Sequence, residues 1–365
     1  MTREMQDPIT GLRAVSDVRA DAAVGAGAQD WQDQSEVFNG TAVTGLRDAR
    51  SSDGNDTRQI PAFVFGEELA DLAEGDPRVV VLTADLGRAS RANDFRDRHP
   101  ERFFNAGIAE KNMITMAAGM ASTGCVPFAS TFASFAALLG AEQIRTDCAY
   151  PKMPVRVVGH HSGISLGFYG TSHHSLEDLG IMRTIADLTV VAATDANHLR
   201  SVLRASLDHP GAMYIRLGRG RDPQVYDAPP QVEFGRALTL REGGDLTLIA
   251  VGSTVHPALE AAERLGRHGV GVRVLDMFSV SPLDRAAIER AARETGRILV
   301  VEEANLTNGL GTAVGEVLLE LGIQGVRFRK HGVPDEHVPV GPPAALYAHY
   351  RLDAAGIETI AKELL

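Results

Sequence analysis

What most restricts the fold of this chain is an alternation of short, unbroken apolar runs with segments of helical spacing. The runs fall at 78–84 (RVVVLTA), 126–130, 155–159, 188–192 and 213–217. Continuous Val/Ile-rich runs fit strands buried on both faces, which means a mostly parallel sheet with helices on each side. Helical spacing at 62–73, 110–122, 134–147 and 197–208 supplies those helices. From 218 to 232 the texture changes to GRGRDPQVYDAPPQV, polar with three prolines, and reads as a linker. The alternation resumes with runs at 245–251, 270–277, 297–302 and 325–328, and helical segments at 257–267, 285–294, 312–321 and 353–365. The expected fold class is α/β, with parallel-sheet domains at 57–217 and 235–365 joined by a linker at 218–234.

Residues 1–56 show no sustained period and are rich in Ala, Asp, Gly, Ser and Gln, so they are expected to be a disordered extension. A net charge of −11 argues against a nucleic-acid partner. Cys125 and Cys148 have no CxxC spacing, imply no disulfide framework, and suit a reducing compartment as small apolar groups. No apolar run reaches the ~18 residues of a membrane span. The N-terminus carries Asp7, Asp17 and Asp21 and lacks a signal-peptide core. The cytoplasm is the expected location.

In open parallel sheets, ligands sit outside the carboxyl ends of the strands. Asp85 follows the first run, His160 and His161 follow VRVVG, and Arg216 ends MYIR. Glu110 stands in GIAEKN, where a loop turns into a helix. Phe132, Phe135 and Leu138 are three apart, and His173 and His174 lie in a glycine-rich loop. Each has a plainer role. An acid is favoured at a helix N-terminus, phenylalanines at helical spacing make a core face, Asp85 can cap a helix, and Arg58 is a charge beside the extension. Four imidazoles suggest zinc, but adjacent histidines point different ways and no Cys or carboxylate spacing completes a tetrahedral set. The glycines of GLGTAVG at 309–315 suggest a dinucleotide turn, yet five residues separate them from the preceding strand, where the turn needs none.

Taken together, FNAGIAEKN, STFASF, GTSHHSLED and AMYIRLGRG resemble the pyrimidine-binding domain of transketolases, followed by that family's C-terminal domain, over roughly 57–365. The resemblance implies thiamine diphosphate as cofactor. Glu110 then matches the carboxyl group that hydrogen-bonds N1′ of the aminopyrimidine and favours its 4′-imino form. Phe132 and Phe135 match the aromatics that stack on the pyrimidine, a contact worth ~0.5–1.5 kcal/mol beyond burial. Leu138 stands where many relatives carry another aromatic, and Asp85 matches an aspartate near the thiazolium. His161, Arg58 and Arg216 match residues that bind the substrate phosphate, where guanidinium forks suit a dianion. His173 matches a histidine that bonds substrate hydroxyls and joins Glu110 in the catalytic set.

The family's GDG…N signature, which holds magnesium and the cofactor's diphosphate, does not occur in this sequence. The resemblance therefore implies a separate diphosphate-binding chain that carries the Mg ligands, and a heterotetramer of two chains of each kind. The C-terminal domain is expected to give dimer contacts and no chemistry. In the stretch Gly167-Phe168-Tyr169-Gly170-Thr171-Ser172-His173, Tyr169 replaces the aspartate that reads a donor hydroxyl. A phenol removes a negative acceptor and fills space, which implies two-carbon ketol transfer with altered substrates. Alternatives are a 1-deoxyxylulose-5-phosphate synthase-like enzyme and a 2-oxo acid dehydrogenase β subunit. The histidine-rich loop and paired arginines fit a sugar phosphate better than a lipoyl domain.

Overall fold

The computed structural model describes residues 61–219 and 223–365; the 1–56 extension and Arg58 lie outside the described residues. In chain order the strands are β1 Val79–Thr83, β2 Phe103–Asn105, β3 Val126–Phe132, β4 Arg156–His160, β5 Thr189–Ala192 and β6 Met213–Arg216. Then come β7 Leu238–Arg241, β8 Leu246–Ala250, β9 Val272–Asp276, β10 Ser279–Ser281, β11 Arg297–Asn305 and β12 Arg327–Val333. The longer helices are α1 Pro61–Gly75, α2 Asn93–Arg98, α3 Glu110–Ala121, α4 Ala133–Leu138, α5 Asp178–Arg183 and α6 Ala196–Ser206. They continue with α7 Val255–Gly266, α8 Arg285–Glu294, α9 Leu310–Leu321, α10 Pro343–His349 and α11 Ala354–Lys362.

Two sheets form, ordered β10-β5-β6-β4-β3-β1-β2 and β12-β11-β8-β9-β7. Strands β1 to β6 are mutually parallel wherever they pair, and β8, β9, β11 and β12 likewise. Every residue of β1, β4, β8 and β9 is buried, as continuous apolar runs require of strands covered on both faces. Helices α1 and α6 cover one face of the first sheet through Phe65, Leu69, Leu199 and Val202. The other face shares an apolar core with the second sheet, in which Ile114, Val157 and Met182 join Ile249, Leu275 and Val314. The far face of the second sheet packs on α7 and α11 through Ala258, Leu265, Ile357 and Ile360.

Three departures from the sequence pattern matter for the site. The helix expected over 134–147 is broken: α4 stops at Leu138, a single turn follows at Ala141–Gln143, and Ile144–Ala149 is π-helical. A Cβ at Gly140 would lie 2.4 Å from Ile114 Cδ1 and 2.9 Å from the Ala136 carbonyl oxygen, so the break packs on α3 only with glycine there. Strand β10 leaves the second half of the chain and pairs antiparallel with β5, so the first sheet is completed from across the linker. The linker itself is clamped. Asp195 caps α6 and accepts the N–H groups of Val225 and Tyr226, both at 2.7 Å, and the Tyr226 hydroxyl donates to Asp276 at 2.8 Å.

Among the described residues no helix is long and apolar enough to cross a membrane. Cys148 is buried and Cys125 half-buried, both as free thiols. Burial pushes the Cys148 thiol up to about 12, which leaves it unreactive near neutral pH.

Candidate active site

Parallel pairing brings the carboxyl ends of β2, β1, β3, β4 and β6 into one row. The register sets Asn105 beside Thr83, Thr83 beside Ser130, Phe132 beside His160, and Gly159 beside Arg216. The chain strains where it leaves that row: Asp85 after β1 has φ 58° and His161 after β4 has φ 57°, a left-handed region uncommon outside glycine. At Asp85 the conformation is held by a reciprocal pair. Its N–H donates to Asn105 Oδ1 at 3.0 Å, and Asn105 Nδ2 donates back to its carboxylate at 3.1 Å. The same Asn105 oxygen accepts the Gly107 N–H at 3.0 Å and so shapes the loop that delivers Glu110. Asn105 was visible in FNAGIAEKN, but a lone asparagine before a loop carries no signal of this double role.

Glu110 opens α3 and is 7% exposed. Among the described residues nothing hydrogen-bonds its carboxyl group, and no side chain caps the helix there. A nearly buried carboxyl is ordinarily hydrogen-bonded, so one without a partner among the described residues is open to another.

Phe132 and Phe135 are not two residues of one helix, as their spacing suggested. Phe132 closes β3 in an extended conformation and Phe135 lies in the first turn of α4, with ring centroids 5.5 Å apart, edge to face. Phe132 is the hub of an imidazole cluster, with His160, His161 and His173 at 5.0, 5.1 and 5.4 Å. His173 also touches Phe135 at 5.4 Å and Tyr169 at 4.8 Å. Tyr169 is 46% exposed, Leu138 is 56% exposed, and Asp85 is exposed as well. His174 is buried.

The Nδ1 atoms of His160 and His161 are 2.7 Å apart, a contact that needs one donor and one acceptor and so a neutral ring. Burial pushes His160 well below its ordinary value. Burial, with the charges of Arg219 and His173, pushes His161 down to about 3. Burial also lowers His173. The cluster is therefore polar but uncharged at neutral pH. Unfolded histidines bind protons below about pH 6.5 and the folded pair refuses them, so stability is lost as pH falls from 6.5 toward about 3. The urea midpoint is expected to drop between pH 7.5 and 5, and His161→Asn to flatten that drop by up to about 1.4 kcal/mol per pH unit. An equal slope in the variant refutes the assignment.

Arg216 requires a correction. Its guanidinium is 2% exposed: Nε donates to Asp178 Oδ2 at 2.8 Å and Nη2 to the Glu303 carbonyl at 2.8 Å. The Tyr214 hydroxyl donates to the same Asp178 oxygen at 2.9 Å. A guanidinium so committed cannot clasp a substrate phosphate. Arg219, half-buried three residues on, is the cation whose field reaches His161. The glycine motif at 309–315, already mismatched to a dinucleotide turn, packs a helix start against the sheet. The N-terminus of α9 is already filled, with Leu310 and Gly311 N–H groups donating to the two oxygens of Glu302 at 2.7 and 2.8 Å. A Cβ at Gly309 would lie 2.0 Å from that carboxylate, so the glycine serves close packing. Among the described residues no group of three or more His, Cys, Asp or Glu could hold a metal ion.

The chain matches the transketolase pyrimidine binding domain over residues 62–223 and the transketolase C-terminal domain over 235–357. It is 38% identical over 302 residues to an apulose-4-phosphate transketolase subunit of Phocaeicola vulgatus, covering 82% of this chain and 96% of that protein. It is 38% identical over 296 residues to the 6-deoxy-6-sulfo-D-fructose transketolase subunit SqwH of a Clostridium species, covering 81% and 91%. A solved structure described as a split gene transketolase, inactive beta4 tetramer, superposes with a TM-score of 0.76 at 38% identity, covering 84% of this chain and 98% of that one. With two family domains in order and near full-length agreement with split subunits, the chain belongs to the transketolase family and carries its pyrimidine-binding and C-terminal domains.

Proposed function

We propose that this chain is the pyrimidine-binding subunit of a thiamine-diphosphate-dependent transketolase, completed by a separate chain that binds the diphosphate and magnesium. The enzyme moves a two-carbon ketol unit from a sugar donor, phosphorylated or otherwise anionic, to an aldehyde acceptor. The observation that carries this reading is Glu110, a nearly buried carboxyl with no partner among the described residues, at the start of the helix that follows β2, whose carboxyl end lies in the same row as that of β3 with Phe132. Those groups fit the aminopyrimidine end of the cofactor. We assign cofactor binding to 57–217 and keep 218–234 as the linker to 235–365.

When bound, thiamine diphosphate supplies the nucleophilic carbon that the ketol transfer needs. Glu110 holds a proton against the aminopyrimidine nitrogen, and Phe132 and Phe135 give the ring an apolar edge. Neutral His161 and His173 donate to or accept from sugar hydroxyls without adding charge. Anion recognition falls to Arg219, with Arg58 as the second candidate. Asp85, by the family resemblance, would lie near the thiazolium, and Leu138 would border the pyrimidine pocket.

Tyr169 distinguishes this site. Its phenol stands beside His173 where an aspartate would accept a donor hydroxyl, so donors that depend on that acceptor are expected to react poorly. The two similar subunits are named for apulose 4-phosphate and for 6-deoxy-6-sulfo-D-fructose. Co-expression with a chain bearing GDG…N, followed by a donor–acceptor screen, tests the reading. Turnover of xylulose 5-phosphate with ribose 5-phosphate is expected to be weak and to rise about tenfold in Tyr169→Asp, the gain of one hydrogen bond to a charged group. Full activity of the unmodified pair on these two sugars would refute the altered specificity, and CO₂ release from pyruvate would refute ketol transfer. The chain alone is expected to assemble without turning over.

A further inference from the structure

The loop 161–176 carries His161, Tyr169 and His173, yet its ends are anchored on the second sheet. Ile164 and Leu176 are buried in the core formed by β8, β9 and β11. The Asn305 N–H donates to the Leu176 carbonyl at 2.9 Å, and the Gly341 N–H donates to the Gly167 carbonyl at 3.0 Å. The neck is closed by paired backbone bonds between Gly163 and Ser175, at 3.0 and 2.9 Å.

Beneath that neck lies Glu303 of β11, 0% exposed. One carboxylate oxygen accepts the Ile164 N–H at 2.7 Å, the other accepts from the Ser253 hydroxyl, and the Tyr347 side chain also hydrogen-bonds the carboxylate. The backbone yields to it: Gly163 has φ +61°, and a Cβ there would lie 2.1 Å from Glu303 Cδ. Arg216 closes the arrangement from β6 by donating to the Glu303 carbonyl at 2.8 Å. An acid is costly in an apolar core, and a leucine would fill the same space without that cost. What leucine cannot do is accept the amide of the loop.

We propose that Glu303 is a positioning residue, which through the Ile164 N–H sets the neck of the 161–176 loop and so places His161 and His173 against Phe132. The second domain then supports the site directly and does more than make dimer contacts. The catalytic consequence rests on the transketolase reading; the placement of the loop does not.

Two measurements test it. In the full chain paired with its diphosphate-binding partner, Glu303→Gln keeps an acceptor for Ile164, and Glu303→Leu keeps volume but removes it. The Gln variant is expected to match the parent within about threefold, and the Leu variant to raise the donor KM about tenfold, the scale of one lost hydrogen bond to a charged group. The thiamine diphosphate Kd, to which this chain contributes through Glu110 and the two phenylalanines and the partner through the diphosphate, is expected to stay the same. In the chain alone, hydrogen exchange of loop amides at 161–176 is expected to speed up about tenfold in the Leu variant while α3 stays protected. If the Leu variant fails to fold, Ser253→Ala, which removes one hydroxyl donor from the carboxylate and leaves that of Tyr347, is expected to move both readouts in the same direction by up to about threefold. Unchanged loop exchange and donor KM, or an equal weakening of cofactor and donor, overturns the proposal. Faster loop exchange in a pair that shows no ketol transfer would uphold the positioning role and refute the transketolase reading.

Discussion

Glu110→Ala is expected to cut turnover of the reconstituted pair by about 100- to 10,000-fold, the range of a lost proton-transfer or proton-holding group. Stability should barely change, because the side chain has no partner among the described residues and its removal orphans nothing. The residue is the first of α3 and no side chain caps that helix, so the helix itself does not depend on it. The experiment measures kcat alongside thermal midpoint and assembly mass. Loss of activity with assembly and midpoint intact places Glu110 in the chemistry. Retained turnover sinks the cofactor reading, since no other described group offers a nearly buried, unpartnered carboxyl in that row. Loss of folding instead makes the residue structural.

Arg216→Met is expected to destabilise the fold by about 3–5 kcal/mol, the cost of leaving one charge of a buried pair without its partner. Asp178 is 0% exposed, and its second oxygen, Oδ1, has no hydrogen bond. All its compensation comes through Oδ2, from Arg216 at 2.8 Å and from Tyr214 at 2.9 Å. Methionine fills much of the volume but donates nothing. Adding Asp178→Asn should recover part of the loss, because a neutral amide tolerates the core better than an unpaired carboxylate. Urea unfolding of the parent, both single variants and the double variant gives the coupling. A single variant with parental stability and only a raised donor KM would restore Arg216 to the substrate site.

These two residues show what kind of information each level holds. Glu110 at the start of a helix was legible from GIAEKN because a loop entering a helix is a local event, while a site role for it came only from the resemblance. Arg216 has an equally clear local position, at the end of a buried strand, and the inference from position to substrate contact failed. Its partners lie 38 and 87 positions away, and nothing near MYIR in the sequence names them. Phe132 and Phe135 were paired correctly in space, although one belongs to a strand and the other to a helix. Spacing of three carries proximity in either case, so the contact was legible where the element was not.

The short elements went unread for a related reason. Strands β2 and β10 have three residues each, too few to show a period. The pairing of β10 with β5 joins residues on opposite sides of a proline-rich linker, and a reader of local pattern would place a domain boundary between them.

From its sequence alone this chain determined that parallel strands would alternate with helices and that Asp85, His160 and His161 would fall at strand ends along one edge of the sheet. Buried runs of one polarity leave few other ways to cover both faces of a sheet, and parallel strands put their ends on the same side. Tertiary structure decided where the guanidinium of Arg216 points, and that Glu303 accepts an amide 139 positions earlier in the chain. A buried charge takes whichever partner the packed core brings within hydrogen-bond reach, and that choice is made only when distant segments close on one another.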